Sequence, residues 1–199
     1  MRITLIMNVV RVAVLGLGLL AAGAVSAEPR FVGTKACATC HKDEMQDWKR
    51  SAHGKTMEVL LAGKRAGPKH KAAVDPDKDY SKDEKCLKCH TTGFKKEGGF
   101  VDMNSTPDLA GVGCEECHGP GSAYRDIHNK KMLDFKSAEV RAAGQTYASK
   151  GDKVCEKCHN NDSPFKASVD PKYAFKLKDR LKDGTESFHQ MYPQDGNHD

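Results

Sequence analysis

Apolar positions are unevenly spread along this chain. An uninterrupted run, Val12–Val25, lies behind Arg2 and Arg11 and is followed by the small residues Val25-Ser26-Ala27. That order is a secretory signal peptide over residues 1–27, cleaved after Ala27. The run is short for a bilayer span, and no second apolar stretch follows it. After residue 27 the apolar positions fall into short groups at helical spacing. They predict a helix over Lys42–Ala62, with Trp48, Met57, Val59 and Leu60 turned toward a core. Further helices are expected over Ala123–Lys130, Ser137–Ala148 and Phe175–Met191. Gly63–Asp79 is rich in Pro, Gly and Lys and reads as a loop, as does Ser163–Pro171. Thr92–Gly113 reads as irregular, with room for a short hairpin. Gly119-Pro120-Gly121 reads as a sharp turn, and the tail beyond Pro193 as disordered.

Residues 28–199 have the length of a single domain. Charged residues make up 30% of the chain and aromatic residues 7%. Such a chain cannot build a large side-chain core, so something other than side chains must supply buried apolar surface. The formal charge of +5 falls to +3 with the loss of Arg2 and Arg11. Lysine-rich stretches at 64–71 and 82–88 read as solvated faces. Nothing points to nucleic acid.

The eight cysteines identify that other material. All of them fall in four Cys-x-x-Cys-His motifs: Cys37–His41, Cys86–His90, Cys114–His118 and Cys155–His159. Thiols at i and i+3 and an imidazole at i+4 project to one side of a helical turn. This is the attachment site of a c-type haem, in which the two thiols bond the vinyl groups and the histidine ligates the iron. Two zinc sites would use the same thiols, but they leave the four histidines unexplained and the gaps do not suit a zinc ribbon. Four disulfides fail on the histidines too. The expected cofactors are therefore four haem c groups with their iron. Cys37, Cys40, Cys86, Cys89, Cys114, Cys117, Cys155 and Cys158 hold them covalently, and His41, His90, His118 and His159 are the proximal ligands. The expected fold is mostly α with long irregular loops, a compact multihaem cytochrome c organised around its haems. Because the cofactors are the core, the apoprotein should not fold.

The nine histidines leave five beyond the motifs. His198 lies one residue from the C-terminus, and His70 sits in a polar Gly-Pro-Lys-His-Lys stretch. His53, His128 and His189 remain as the best distal ligands. Three distal histidines for four irons leave one haem with an open position. Met45 and Met57 compete for the sixth site, but methionine at helical spacing usually packs.

Several stretches are more specific than the motif count. CATCHKDEMQDWKRSAHGKTMEVL resembles the first haem segment of the tetrahaem cytochrome c-554 family of ammonia-oxidising bacteria. DPDKDYSKDEKCLKCHTTGFKKEGGF resembles its second. GVGCEECHGPG followed by His128 resembles its third, and CEKCH with VDPKYAFK and a late His189 its fourth. The resemblance implies haems stacked in near-parallel and near-perpendicular pairs, as in hydroxylamine oxidoreductase, with three bis-histidine haems and one five-coordinate haem. Carried over by motif, the haem of His41 takes His128, that of His118 takes His189 and that of His159 takes His53. The haem of His90 keeps the open site.

The resemblance also implies a periplasmic electron carrier; the leader and the lack of a second apolar stretch predict a protein not membrane-spanning after cleavage, and a monomer or weak dimer is expected. Its donor would be a hydroxylamine oxidoreductase-like protein, and its acceptor a membrane-bound tetrahaem cytochrome leading to the quinone pool. Two other readings compete. The open haem would make the chain a nitric oxide reductase, although no distal acid or base stands out for it. Alternatively, His70 or His198 would ligate a neighbour's haem in a cytochrome filament.

Overall fold

The computed structural model describes residues 28–132, 134–146, 153–176 and 179. The expected leader, His189, His198, the end of the expected Ser137–Ala148 helix and nearly all of the expected 175–191 helix lie outside them. Short helices dominate: α1 (Thr34–Ala38), α2 (Lys42–Arg50), α3 (Ala66–Lys71), α4 (Glu84–His90), α5 (Cys114–His118), α6 (Ser122–Lys131), α7 (Ser137–Ala142) and α8 (Lys153–Glu156). Strands are absent among the described residues, and a single antiparallel bridge pairs Thr91 with Ala110. No described helix is long and apolar enough to cross a membrane.

The helix expected over Lys42–Ala62 stops at Arg50 instead. Asp43 and Glu44 in the first turn and Lys49 and Arg50 in the last suit the helix dipole. At Ser51 the backbone becomes extended, and its hydroxyl donates to the Trp48 carbonyl at 2.7 Å, competing with the next helical bond. A Cβ on Gly54 would lie 2.3 Å from that carbonyl, so the chain can fold back only with glycine there. It continues as two 3₁₀ turns, His53–Lys55 and Glu58–Leu60.

The stretch expected to be a loop over 63–79 contains α3. Its Pro68 falls in the first turn, where a missing N–H costs nothing. Lys69 is buried on this helix and donates from Nζ to the Leu61 carbonyl at 2.9 Å. Its charge lies 5.4 Å over the Tyr80 ring. The expected Ala123–Lys130 helix is present as α6. The 92–113 segment is irregular as expected, tied by Thr92 N–H to the Leu109 carbonyl and Phe100 N–H to that of Thr92.

Leu60, Leu87, Phe100 and Leu109 form a buried apolar cluster, with Phe31, Met57, Tyr80 and Phe94 packed on it. It sits behind α4, so side chains supply an apolar core at the second motif. Buried polar groups there are satisfied within the fold. Thr91 Oγ1 donates to the Leu87 carbonyl at 2.7 Å. Thr92 Oγ1 donates to that of Gly111 and accepts from Gly113 N–H, both at 2.8 Å. α1 packs on α2 and α5, and α6 on α7.

Candidate haem-binding sites

Each motif runs along a helical turn. The second and third occupy α4 and α5, while the first and fourth begin in α1 and α8 and finish in a turn beyond them. Backbone bonds from His41 N–H to the Cys37 carbonyl (3.0 Å) and from His159 N–H to that of Cys155 (2.9 Å) close those turns. Thus the i, i+3, i+4 geometry exists at all four sites. None of the eight cysteines is in a disulfide. Among the described residues, no cluster of three or more Cys, His, Asp or Glu side chains is gathered as a metal ion would need. The zinc and disulfide alternatives therefore lack their geometry.

The motifs meet in two pairs. The Cys37 and Cys114 thiols share a hydrogen bond, and so do those of Cys89 and Cys158. The first haem site thus adjoins the third, and the second adjoins the fourth. Asp162, just after the fourth motif, reaches Lys88 of the second at 3.5 Å.

Three of the motif histidines, His41, His90 and His118, have an oxygen within reach of Nδ1. His90 donates to the Thr56 carbonyl at 2.6 Å, His118 to that of Thr146 at 3.3 Å and His41 to the Glu44 carboxylate at 3.2 Å. An oxygen opposite Nδ1 places the proton there and leaves Nε2 for the iron. The fourth, His159, is stacked on Phe175 with ring centroids 4.2 Å apart.

Among the distal candidates, His53 faces His159 with ring centroids 6.1 Å apart. Burial, reinforced by His159, pushes its imidazole down to about 4. His128, on α6, is stacked on Phe135 with centroids 4.4 Å apart, and its Nε2 is buried. His70 is exposed on α3. His189 lies outside the described residues.

Sequence reasoning missed Thr56 and Thr146. Thr56 accepts from His90, and its Oγ1 lies 3.0 Å from both the His53 and His90 carbonyls. Thr146 binds the third motif through its Oγ1, which donates to the Cys117 carbonyl at 2.6 Å, and its N–H, which donates to that of His118. These contacts are made largely by backbone, so residue type carries little sign of them.

The side chains fit haem. Paired thiols lie on helical turns, imidazoles have their Nδ1 protons fixed, and two imidazoles face each other at the spacing of ligands on opposite sides of one metal, about 6 Å for metal–nitrogen bonds of about 2 Å. This fold and these sites define a multihaem c-type cytochrome.

Comparison with known proteins makes the assignment particular. The family "Cytochrome c554 and c-prime" matches residues 36–119. Cytochrome c-554 of Nitrosomonas europaea is 36% identical over 189 residues, covering 86% of this chain and 80% of that protein. The solved structure of its reduced state superposes with a TM-score of 0.71 at 37% identity, covering 79% of this chain and 84% of that one. A multiheme cytochrome, MtrA of Shewanella baltica, is 32% identical over 85 residues, which span 40% of this chain and 24% of that protein. The chain belongs to the cytochrome c-554 family. It is a tetrahaem c-type cytochrome that carries electrons, and its partners are redox proteins. The haems supply reversible one-electron chemistry at iron.

Proposed function

We propose that this chain is a periplasmic carrier that takes electrons from a hydroxylamine oxidoreductase-like donor and delivers them to a membrane-bound tetrahaem cytochrome. The protein attaches haem through Cys37 and Cys40, Cys86 and Cys89, Cys114 and Cys117, and Cys155 and Cys158. His41, His90, His118 and His159 ligate the four irons. His53 is the distal ligand of the His159 haem, His128 of the His41 haem and His189 of the His118 haem. The His90 haem keeps one open position. The observation that carries this reading is the 6.1 Å opposition of His53 and His159, two residues far apart in sequence. Contacts between the first and third motifs and between the second and fourth support short electron paths within each pair.

The test is an electron paramagnetic resonance spectrum of the oxidised holoprotein, integrated per haem. The expected result is three low-spin ferric haems and one high-spin. Four low-spin signals would close the site assigned to His90. Stopped-flow mixing with reduced hydroxylamine oxidoreductase should then reduce the haems, and an absence of electron transfer would remove the proposed donor.

A further inference from the structure

Glu115 is the second residue of the third motif and is 2% exposed, the most deeply buried acid among the described residues. Its Oε1 accepts from Val32 N–H at 2.9 Å and Gly121 N–H at 2.6 Å. Its Oε2 accepts from Val32 N–H at 3.1 Å and Gly33 N–H at 2.8 Å. Every one of these contacts donates to the side chain, the pattern of an ionised carboxylate. Backbone N–H groups solvate such a charge without cancelling it.

Its position is specific. Val32 and Gly33 lead directly into α1, which carries Cys37. Gly121 closes the turn after the third motif, and Glu115 is next to Cys114. Its charge acts on both Cys37 and Cys114, the two thiols that touch. Arg125 on α6 acts on Cys37 in the opposite sense. The neighbouring Glu116 faces elsewhere. It accepts from Gly93 N–H at 2.8 Å and acts on Cys89 and Cys158. Glu116 is also less buried than Glu115, so water screens it more.

We infer that Glu115 is a built-in negative charge that lowers the reduction potentials of the haems on the first and third motifs. Adding an electron beside a buried anion is unfavourable, and the penalty is larger where the surroundings are dry. The carboxylate therefore favours ferric iron in this pair and leaves the second pair less affected. The inference rests on the haem attachment proposed above.

The experiment is a potentiometric titration of the holoprotein, followed by visible absorption, for wild type, Glu115→Gln and Arg125→Gln. Haem content per chain is measured first. Fewer than four haems in the wild type would overturn the attachment reading itself. With four present, Glu115→Gln should raise two of the four potentials and leave two in place. A tenfold change in the ferric-to-ferrous ratio at fixed ambient potential corresponds to 59 mV for one electron. Arg125→Gln should lower the same two. Four unmoved potentials, an equal shift of all four, or shifts of the same sign in both variants would overturn the inference. The glutamine amide places an N–H against backbone donors, and one outcome is that Glu115→Gln fails to accumulate as a four-haem protein. In that event Arg125→Gln decides alone: two lowered potentials support the inference and unchanged ones overturn it.

Discussion

The rings of His53 and His159 oppose each other with centroids 6.1 Å apart and planes tilted by 56°. The two rings come from separate elements: His53 lies in a 3₁₀ turn after α2 and His159 just beyond α8. Replacing His53 with alanine should convert one low-spin haem to high-spin, read by paramagnetic resonance of the oxidised protein. An unchanged spectrum would mean that the two rings do not share an iron.

Thr56 joins His53 and His90, to which the proposed ligation assigns different haems. Its carbonyl fixes His90, and its hydroxyl lies between the His53 and His90 carbonyls and accepts from Val112 N–H at 3.1 Å. Thr56→Val keeps the carbonyl and removes the hydroxyl. We expect a loss of about 1–2 kcal/mol, seen as a fall in Tm of roughly 2–8 °C at this chain length. An unshifted melting curve for the holoprotein would show the hydroxyl to be dispensable.

Gly119 has φ +79°, and a Cβ there would lie 2.4 Å from the Gly144 carbonyl. Gly63 has φ +71° with nothing within 4 Å. Gly63→Ala should therefore cost only left-handed strain, about 1–2 kcal/mol. Gly119→Ala adds a backbone clash directly after His118 and should reduce haem at the third motif, giving fewer than four haems per chain. Equal haem content in the two variants would contradict this.

Acid should loosen the segment after the fourth motif. Asp170 accepts from Lys71 Nζ at 2.8 Å and from Lys172 N–H at 3.1 Å. Lys71 and then Lys172 hold its carboxyl down to about 2. A depressed carboxylate stabilises the fold fully above its unfolded value of about 3.9, and that contribution is lost as pH falls from there toward 2. Lys71→Met removes the main cause, so loosening of the His159 haem, followed by its absorption band, should begin at higher pH than in wild type. Superimposable acid titrations would exclude the Asp170 anchor.

The haem turns were legible because their chemistry demands fixed residue types at fixed spacing. α6 and the irregular 92–113 segment were legible from periodicity and turn residues. The break at Ser51 was not, because it depends on a carbonyl-to-hydroxyl contact and on the close approach of Gly54, neither of which alters the apolar pattern. α3 was hidden because proline and glycine suggest a loop, while its stability comes from a lysine buried against Tyr80. The cradle around Glu115 was also invisible, since its donors are main-chain groups and two of them, on Val32 and Gly33, lie some 80 residues away.

The contacts from Cys37 to Cys114 and from Cys89 to Cys158 span overlapping stretches of sequence. The chain is interlaced rather than assembled from two consecutive two-haem units. A fragment cut between the second and third motifs would break both partnerships at once. Maturation has the same constraint: when only the first two motifs have been made, neither has its neighbour, and the native arrangement closes only after the fourth motif arrives.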